Sequence, residues 1–276
     1  MVDASTFPAL IDERRRGRGT SAAIISDDAV LTYGDLDARS GELARRLLAG
    51  GVNKGTRVGL LMPNCVEWAV IAFAVMRTGA VLVPLSTLLR PPELEAQLAI
   101  AGVSVLVVRP EYRGRDYLAE LDRQVPGVGQ LGTSTVRVAG LPDLRQVWSA
   151  DAFPDESAPV AVVGAIERGV RPGDDLAIMF TSGSRGRPKG VIHTHGGAIR
   201  ATRAGLAARC IGEGDRLYIP MPFFWMGGFG AGLLSVMIAG ATLLTETDPT
   251  PANPGTGWRA RARGSEWWWP ASGRSR

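Results

Sequence analysis

Short apolar runs alternate with longer amphipathic ones through the first hundred residues. Residues 22–25 and 29–31 are apolar and flank Ser26-Asp27-Asp28, a pattern that predicts a hairpin. Thr32 followed three residues on by Asp35 has the form of a helix N-cap. Leu36, Leu43, Leu47 and Leu48 recur at helical spacing before Gly50-Gly51 ends the run. Residues 58–62, 80–85 and 103–108 are continuous apolar runs, the form of strands buried on both faces. Between them, helices are predicted over 66–77, closed by Gly79, and from Pro91-Pro92 to Ala101, closed by Gly102. This alternation predicts an α/β fold, with parallel-sheet layers covered by helices.

The later chain is less regular. Residues 126–174 are rich in Gly and Pro and read as irregular connection, with one strand expected at 135–138. Leu176 to Phe180 reads as a buried strand, 197–209 as a helix, 212–215 as a turn and 216–220 as a strand. Residues 217–245 carry no charged side chain, long enough for a membrane span. Pro220, Pro222 and five glycines interrupt them, and neither flank is strongly basic, so a strand, a bend, a buried helix over 231–239 and a strand over 241–245 fit better.

Composition changes this picture at two places. The 276 residues, 45% hydrophobic and 21% charged, suit a globular protein with a large core and room for two subdomains. The net charge of +4 resides in 250–276, where five arginines face only Glu266, so the basic balance is no argument for nucleic acid. Arg14-Arg15-Arg16-Gly17-Arg18 reads as the end of a short helix from Ala9, with Gly17 as its cap, rather than as a partner site. Residues 250–276 hold four tryptophans but no Val, Ile, Leu, Met, Phe or Tyr, a composition that cannot build a core. They are expected to be a disordered tail, with the look of translation out of frame, after one partial domain over 1–249. Cys65 and Cys210 form no metal or disulfide pattern and are expected to be buried apolar residues. With no secretory leader pattern at the start, a reducing cytoplasmic location is expected.

The candidate chemistry follows the strand at 176–180. Thr181-Ser182-Gly183-Ser184-Arg185-Gly186-Arg187-Pro188-Lys189-Gly190 combines hydroxyl donors, glycines that let several N–H groups face one anion, and a lysine. Those are the parts needed to hold a polyphosphate. Pro188 and Gly190 around Lys189 exclude the Walker form of phosphate loop. The stretch instead resembles the T-S-G-[ST]-[ST]-G-x-P-K-G signature of the AMP-forming acyl-CoA synthetase, luciferase and peptide-synthetase adenylation superfamily. It matches at every position but Arg185, where a guanidinium replaces a hydroxyl. Met62-Pro63-Asn64, Glu67-Trp68 and 76–85 are similar to the same family in the expected order.

Pro222-Phe223-Phe224-Trp225-Met226-Gly227-Gly228 resembles the P-x-F-[HW]-x-x-G element of the acid–CoA ligase branch; the alternative is an aromatic core cluster. The resemblance implies that Thr181, Ser182, Gly183, Ser184, Arg185, Gly186 and Lys189 hold the phosphates of ATP. It implies that Phe224, Trp225 and Gly227 border the pocket for a carboxylic acid and its adenylate. Mg2+ would accompany ATP, and coenzyme A would be the acceptor. His193 and His195 lack a third ligand or a partner carboxylate, so structural roles are expected.

The family's later elements, including the small C-terminal domain with its catalytic lysine, are not found, so the chain is expected to be an N-terminal part that is catalytically incomplete. A non-catalytic nucleotide-binding remnant, a pseudogene product and a carrier-protein adenylation domain are the other readings. The absence of F-D-x-S after Pro222 weighs against the last.

Overall fold

The computed structural model describes residues 4–27, 29–130, 138–181 and 188–247. The chain opens with α1 (Phe7–Arg18), the hairpin strands β1 (Ala22–Ser26) and β2 (Ala29–Thr32), and α2 (Tyr33–Ala49). Then β3 (Arg57–Leu61), α3 (Val66–Arg77), β4 (Val81–Leu85), α4 (Pro91–Ala101) and β5 (Val105–Val108) alternate. A small hairpin, β6 (Glu111–Tyr112) and β7 (Arg115–Asp116), leads to α5 (Tyr117–Gln124), followed by β8 (Gln146–Ser149) and α6 (Val160–Gly169). The last part holds β9 (Asp175–Thr181), β10 (Lys189–Thr194), α7 (His195–Ala204), β11 (Arg216–Tyr218), a π-helix (Gly227–Leu234), α8 (Ser235–Ala239) and β12 (Thr242–Leu244).

Two larger sheets result. One has the order β10-β9-β4-β3-β5-β8, parallel except for the antiparallel edge strand β10. The other has the order β11-β12-β1-β2 and pairs β1 with β12 in parallel, joining segments more than two hundred residues apart. The α/β expectation with parallel layers holds, because the apolar runs have both faces covered. Along β5, Val105 and Val107 enter the core on one face and Leu106 and Val108 the core on the other. That alternation requires helices on both sides.

Helix α3 is the layer between the sheets. Apart from Glu67 and Arg77 all its residues are buried, and it packs on α2, β1, β2, β3 and β4. A helix apolar all round is stable only where every side is covered. Trp68, in its first turn, lies 5.1 Å from the Phe223 ring and 6.1 Å from that of Phe229. Burial of each large side chain of this kind contributes about 1.5–3 kcal/mol. Helices α4 and α5 cover the opposite face of the six-stranded sheet through Leu94, Leu98 and Leu121.

Several expectations need correction. The first helix begins at Phe7 and runs through Gly17, which does not cap it. Its arginines make internal contacts: Arg14 donates to the carbonyls of Met237 (2.9 Å) and Ile238 (2.6 Å) and Arg18 to Glu213, which carries the helix past the glycine. The loop-rich reading of 126–174 missed β8 and α6. Residues 135–137 of the strand expected at 135–138 lie outside the described residues, and Val138 forms only an isolated bridge with Leu141. The helix expected over 231–239 begins as a π-helix at Gly227, and the one expected over 197–209 starts at His195 and ends at Ala204. Cys65 is buried as expected, but Cys210 is exposed, in a left-handed turn at φ 51°. Among the described residues, no helix is long and apolar enough to cross a membrane. The tail assigned to 250–276 lies outside the described residues.

Candidate functional site

Residues 182–188 join the carboxyl end of β9 to the start of β10. The register sets Lys189 opposite Thr181 and Gly190 opposite Phe180, so the strand ends form the neck of this connection. Gly190 makes the approach possible: a Cβ there would lie 2.8 Å from Cγ2 of Ile178. Both Thr181 and Lys189 are exposed, and among the described residues the Lys189 ammonium makes no ion pair. A free cation and a hydroxyl held at a strand end fit a phosphate group. The carboxyl edge of parallel strands is also where open α/β sheets take their ligands. Ser182, Gly183, Ser184, Arg185 and Gly186 lie outside the described residues.

At the far end of the hairpin, Thr194 caps α7 by accepting from the Gly197 N–H at 3.2 Å. The His195 backbone N–H donates to the Asp174 carbonyl at 3.0 Å. The His195 ring is fully buried and its Nδ1 accepts the Phe7 N–H at 3.2 Å, tying α1 to the root of the hairpin. Burial pushes this imidazole down to about 4, so it is neutral at physiological pH. The structural role expected for His195 holds. Among the described residues no group of His, Cys, Asp or Glu is suited to hold a metal ion.

The aromatic turn follows β11. Phe223 is fully buried against Trp68, so this residue fills core. Phe224 is buried too, whereas Trp225 is 47% exposed and meets the Phe224 ring edge-on at 5.5 Å. Of the aromatic pair assigned to the acid pocket, Trp225 is thus the one open to solvent. Met221 and Met226 beside it are also half-exposed. Gly227 begins the π-helix, and a Cβ on it would lie 2.3 Å from the Met221 sulfur. A Cβ on Gly228 would lie 2.1 Å from the Pro222 carbonyl oxygen. Glycine at these positions lets the turn fold back onto its own backbone.

One side chain to which the sequence reading gave no role joins these parts. Asn64 follows β3, so it lies on the same edge of the six-stranded sheet as the 182–188 connection. Its Oδ1 accepts from the Phe223 N–H at 2.8 Å, and its Nδ2 donates to the Met221 carbonyl at 3.0 Å and Thr245 Oγ1 at 3.3 Å. The aromatic turn is thereby fastened to the sheet edge that carries Thr181 and Lys189. The strands β3 and β9 flank β4, which sets them roughly 10 Å apart at normal strand spacing.

Known proteins are similar to this chain in sequence and in fold. The AMP-binding enzyme family matches residues 11–262. A methyl-dioxo-octahydroindenyl-propanoyl:CoA ligase of Mycobacterium tuberculosis is 32% identical over 252 residues, 88% of this chain and 47% of that protein. The long-chain-fatty-acid–CoA ligase FadD13 of the same species is 34% identical over 221 residues, 80% of this chain and 40% of that protein. A feruloyl-CoA synthase of an Amycolatopsis species is 30% identical over 233 residues, 84% of this chain and 42% of that protein. The chain thus spans somewhat under half the length of the curated relatives it matches. The inhibitor-bound N-terminal domain of FACL13 from M. tuberculosis shares the fold, with a TM-score of 0.72 over 91% of this chain and 60% of that one, at 24% identity. On these grounds the chain belongs to the AMP-binding enzyme family, within the AMP-forming acid–CoA ligase superfamily.

Proposed function

We propose that this chain supplies the ATP- and acid-binding part of an acid–CoA ligase, with residues 1–249 as part of its large N-terminal domain. The observation that carries this reading is the free Lys189 ammonium held opposite Thr181 at the neck of the 182–188 connection. Lys189 and Thr181, with Ser182, Gly183, Ser184, Arg185 and Gly186, hold the phosphates of ATP, which arrives with Mg2+. Trp225 borders the acid, backed by Phe224 and Gly227. An ionised carboxylate attacks the α-phosphate, pyrophosphate leaves, and an acyl-adenylate remains. The thiol of coenzyme A then attacks the acyl carbon and AMP departs. No general base is needed for the first step because the carboxylate is already ionised. The work of Lys189 is to neutralise charge on the departing pyrophosphate. The names of the relatives favour a fatty or related apolar acid, and the reaction belongs in the cytoplasm, where ATP and coenzyme A are at hand. Calorimetric titration of the purified chain with Mg·ATP tests the reading. Saturable binding at one site per chain is expected; no binding at millimolar ATP contradicts it.

A further inference from the structure

Asn64 is 7% exposed, and its amide contacts three groups from the other sheet's side of the molecule. Met221 and Phe223 follow β11, and Thr245 follows β12. Those two strands are parallel neighbours, so their carboxyl ends lie together. Asn64 itself stands at the carboxyl end of β3, in the turn that starts α3. One buried amide therefore clamps the carboxyl edge of the four-stranded sheet to that of the six-stranded sheet. Its geometry admits one amide orientation: Phe223 offers an N–H and Met221 a carbonyl, so Oδ1 must face the first and Nδ2 the second. A carboxylate in this place would turn an oxygen toward the Met221 carbonyl, and an aliphatic residue would leave buried backbone groups unpaired. Proximity of the rings alone does not require such a side chain, since Phe223 is already packed on Trp68.

We propose that Asn64 is a positioning residue that fixes the spacing between the nucleotide site at the β9–β10 strand ends and the acid at Trp225. This rests on the function proposed above. Asn64 touches neither ligand; it acts by holding the turn 221–225 at a set distance from the strand ends. Such a residue has a distinctive signature. A ligand that occupies one subsite alone is indifferent to the spacing. A ligand that spans both loses affinity when the spacing loosens, because its two halves no longer meet their subsites at once.

The test compares Mg·ATP with dodecanoyl-sulfamoyl-adenosine, a stable mimic of an acyl-adenylate, by calorimetry on the full chain. In Asn64→Ala, ATP affinity is expected to stay within about twofold while the mimic weakens about tenfold or more. Thr245→Val, which removes one of the three contacts and keeps the side-chain shape, is expected to weaken the mimic several-fold and leave ATP unchanged. That variant carries the test if Asn64→Ala fails to fold. Equal weakening of both ligands, or a mimic unaffected in either folded variant, overturns the role of Asn64. A wild-type chain that binds neither ligand overturns the proposed function itself, a distinct outcome.

Discussion

At the scale of single residues, His195 and Trp225 show how position decides role. His195 is enclosed and its Nδ1 must stay unprotonated to accept the Phe7 N–H. Its folded value, about 4, lies below the ordinary histidine value of 6.5. Above pH 6.5 both folded and unfolded chains hold it neutral, and stability is full. As pH falls from 6.5 toward 4 only the unfolded chain takes up the proton, so stability drops, by about 1.4 kcal/mol per pH unit at the steepest. Urea unfolding of wild type and His195→Gln between pH 7 and 5 measures this. The difference in unfolding free energy between the two is expected to shrink as pH falls; a difference independent of pH contradicts it. Trp225 is half-exposed, and its replacement removes little besides the edge-on contact with Phe224, worth about 1 kcal/mol. Trp225→Ala is therefore expected to stay folded and to change the preference among bound acids more than the affinity for ATP. A change confined to thermal stability would make Trp225 a packing residue only.

Among the elements, the π-helix Gly227–Leu234 depends most on particular side chains being absent. The Pro222 carbonyl fills the space a Gly228 side chain would need, and it is backbone that cannot swing aside. Gly228→Ala is expected to cost about 2–3 kcal/mol, read as a lowered denaturation midpoint, with the loss centred on the aromatic turn. A variant as stable as wild type would show that the turn can open freely. The apolar run at 231–239 announces a helix, but nothing local separates π from α winding. Elements bounded by strong punctuation were legible: α3 and α4 have the limits that Gly79, Pro91 and Gly102 imply, and the Thr32–Asp35 capping box is present. Strand β8 was hidden by its polar ends, Gln146 and Ser149, and by the prolines around it. Strand β10 is an exposed edge with a glycine in it, so it lacks the apolar signal of a buried strand. Thr181 and Lys189, which stand opposite each other at the strand ends, were marked in the sequence by the hydroxyl, glycine and lysine spacing. The part of Asn64 was not, because its three partners lie about 160–180 residues further along the chain.

For the whole molecule, two sheets share one helical layer, and their carboxyl edges meet at Asn64. The apolar helix α3 sits between them, so the sheets cannot separate without exposing Trp68, Phe73 and Phe223. This buried middle sets the strand ends at Lys189 and the turn at Trp225, one beside each sheet, at a common edge. The exposed ammonium at the start of β10 is proposed to bind the phosphates of ATP. The direct measurement is calorimetric titration of Mg·ATP into wild type and Lys189→Met, with the fold of both checked by circular dichroism. Lys189 has no partner inside the described structure, so its loss leaves the fold intact and removes a charge-assisted contact worth about 1–3 kcal/mol. ATP affinity is expected to fall between about fivefold and a hundredfold, the range this energy implies. Equal ATP affinity in the two folded proteins would contradict the account.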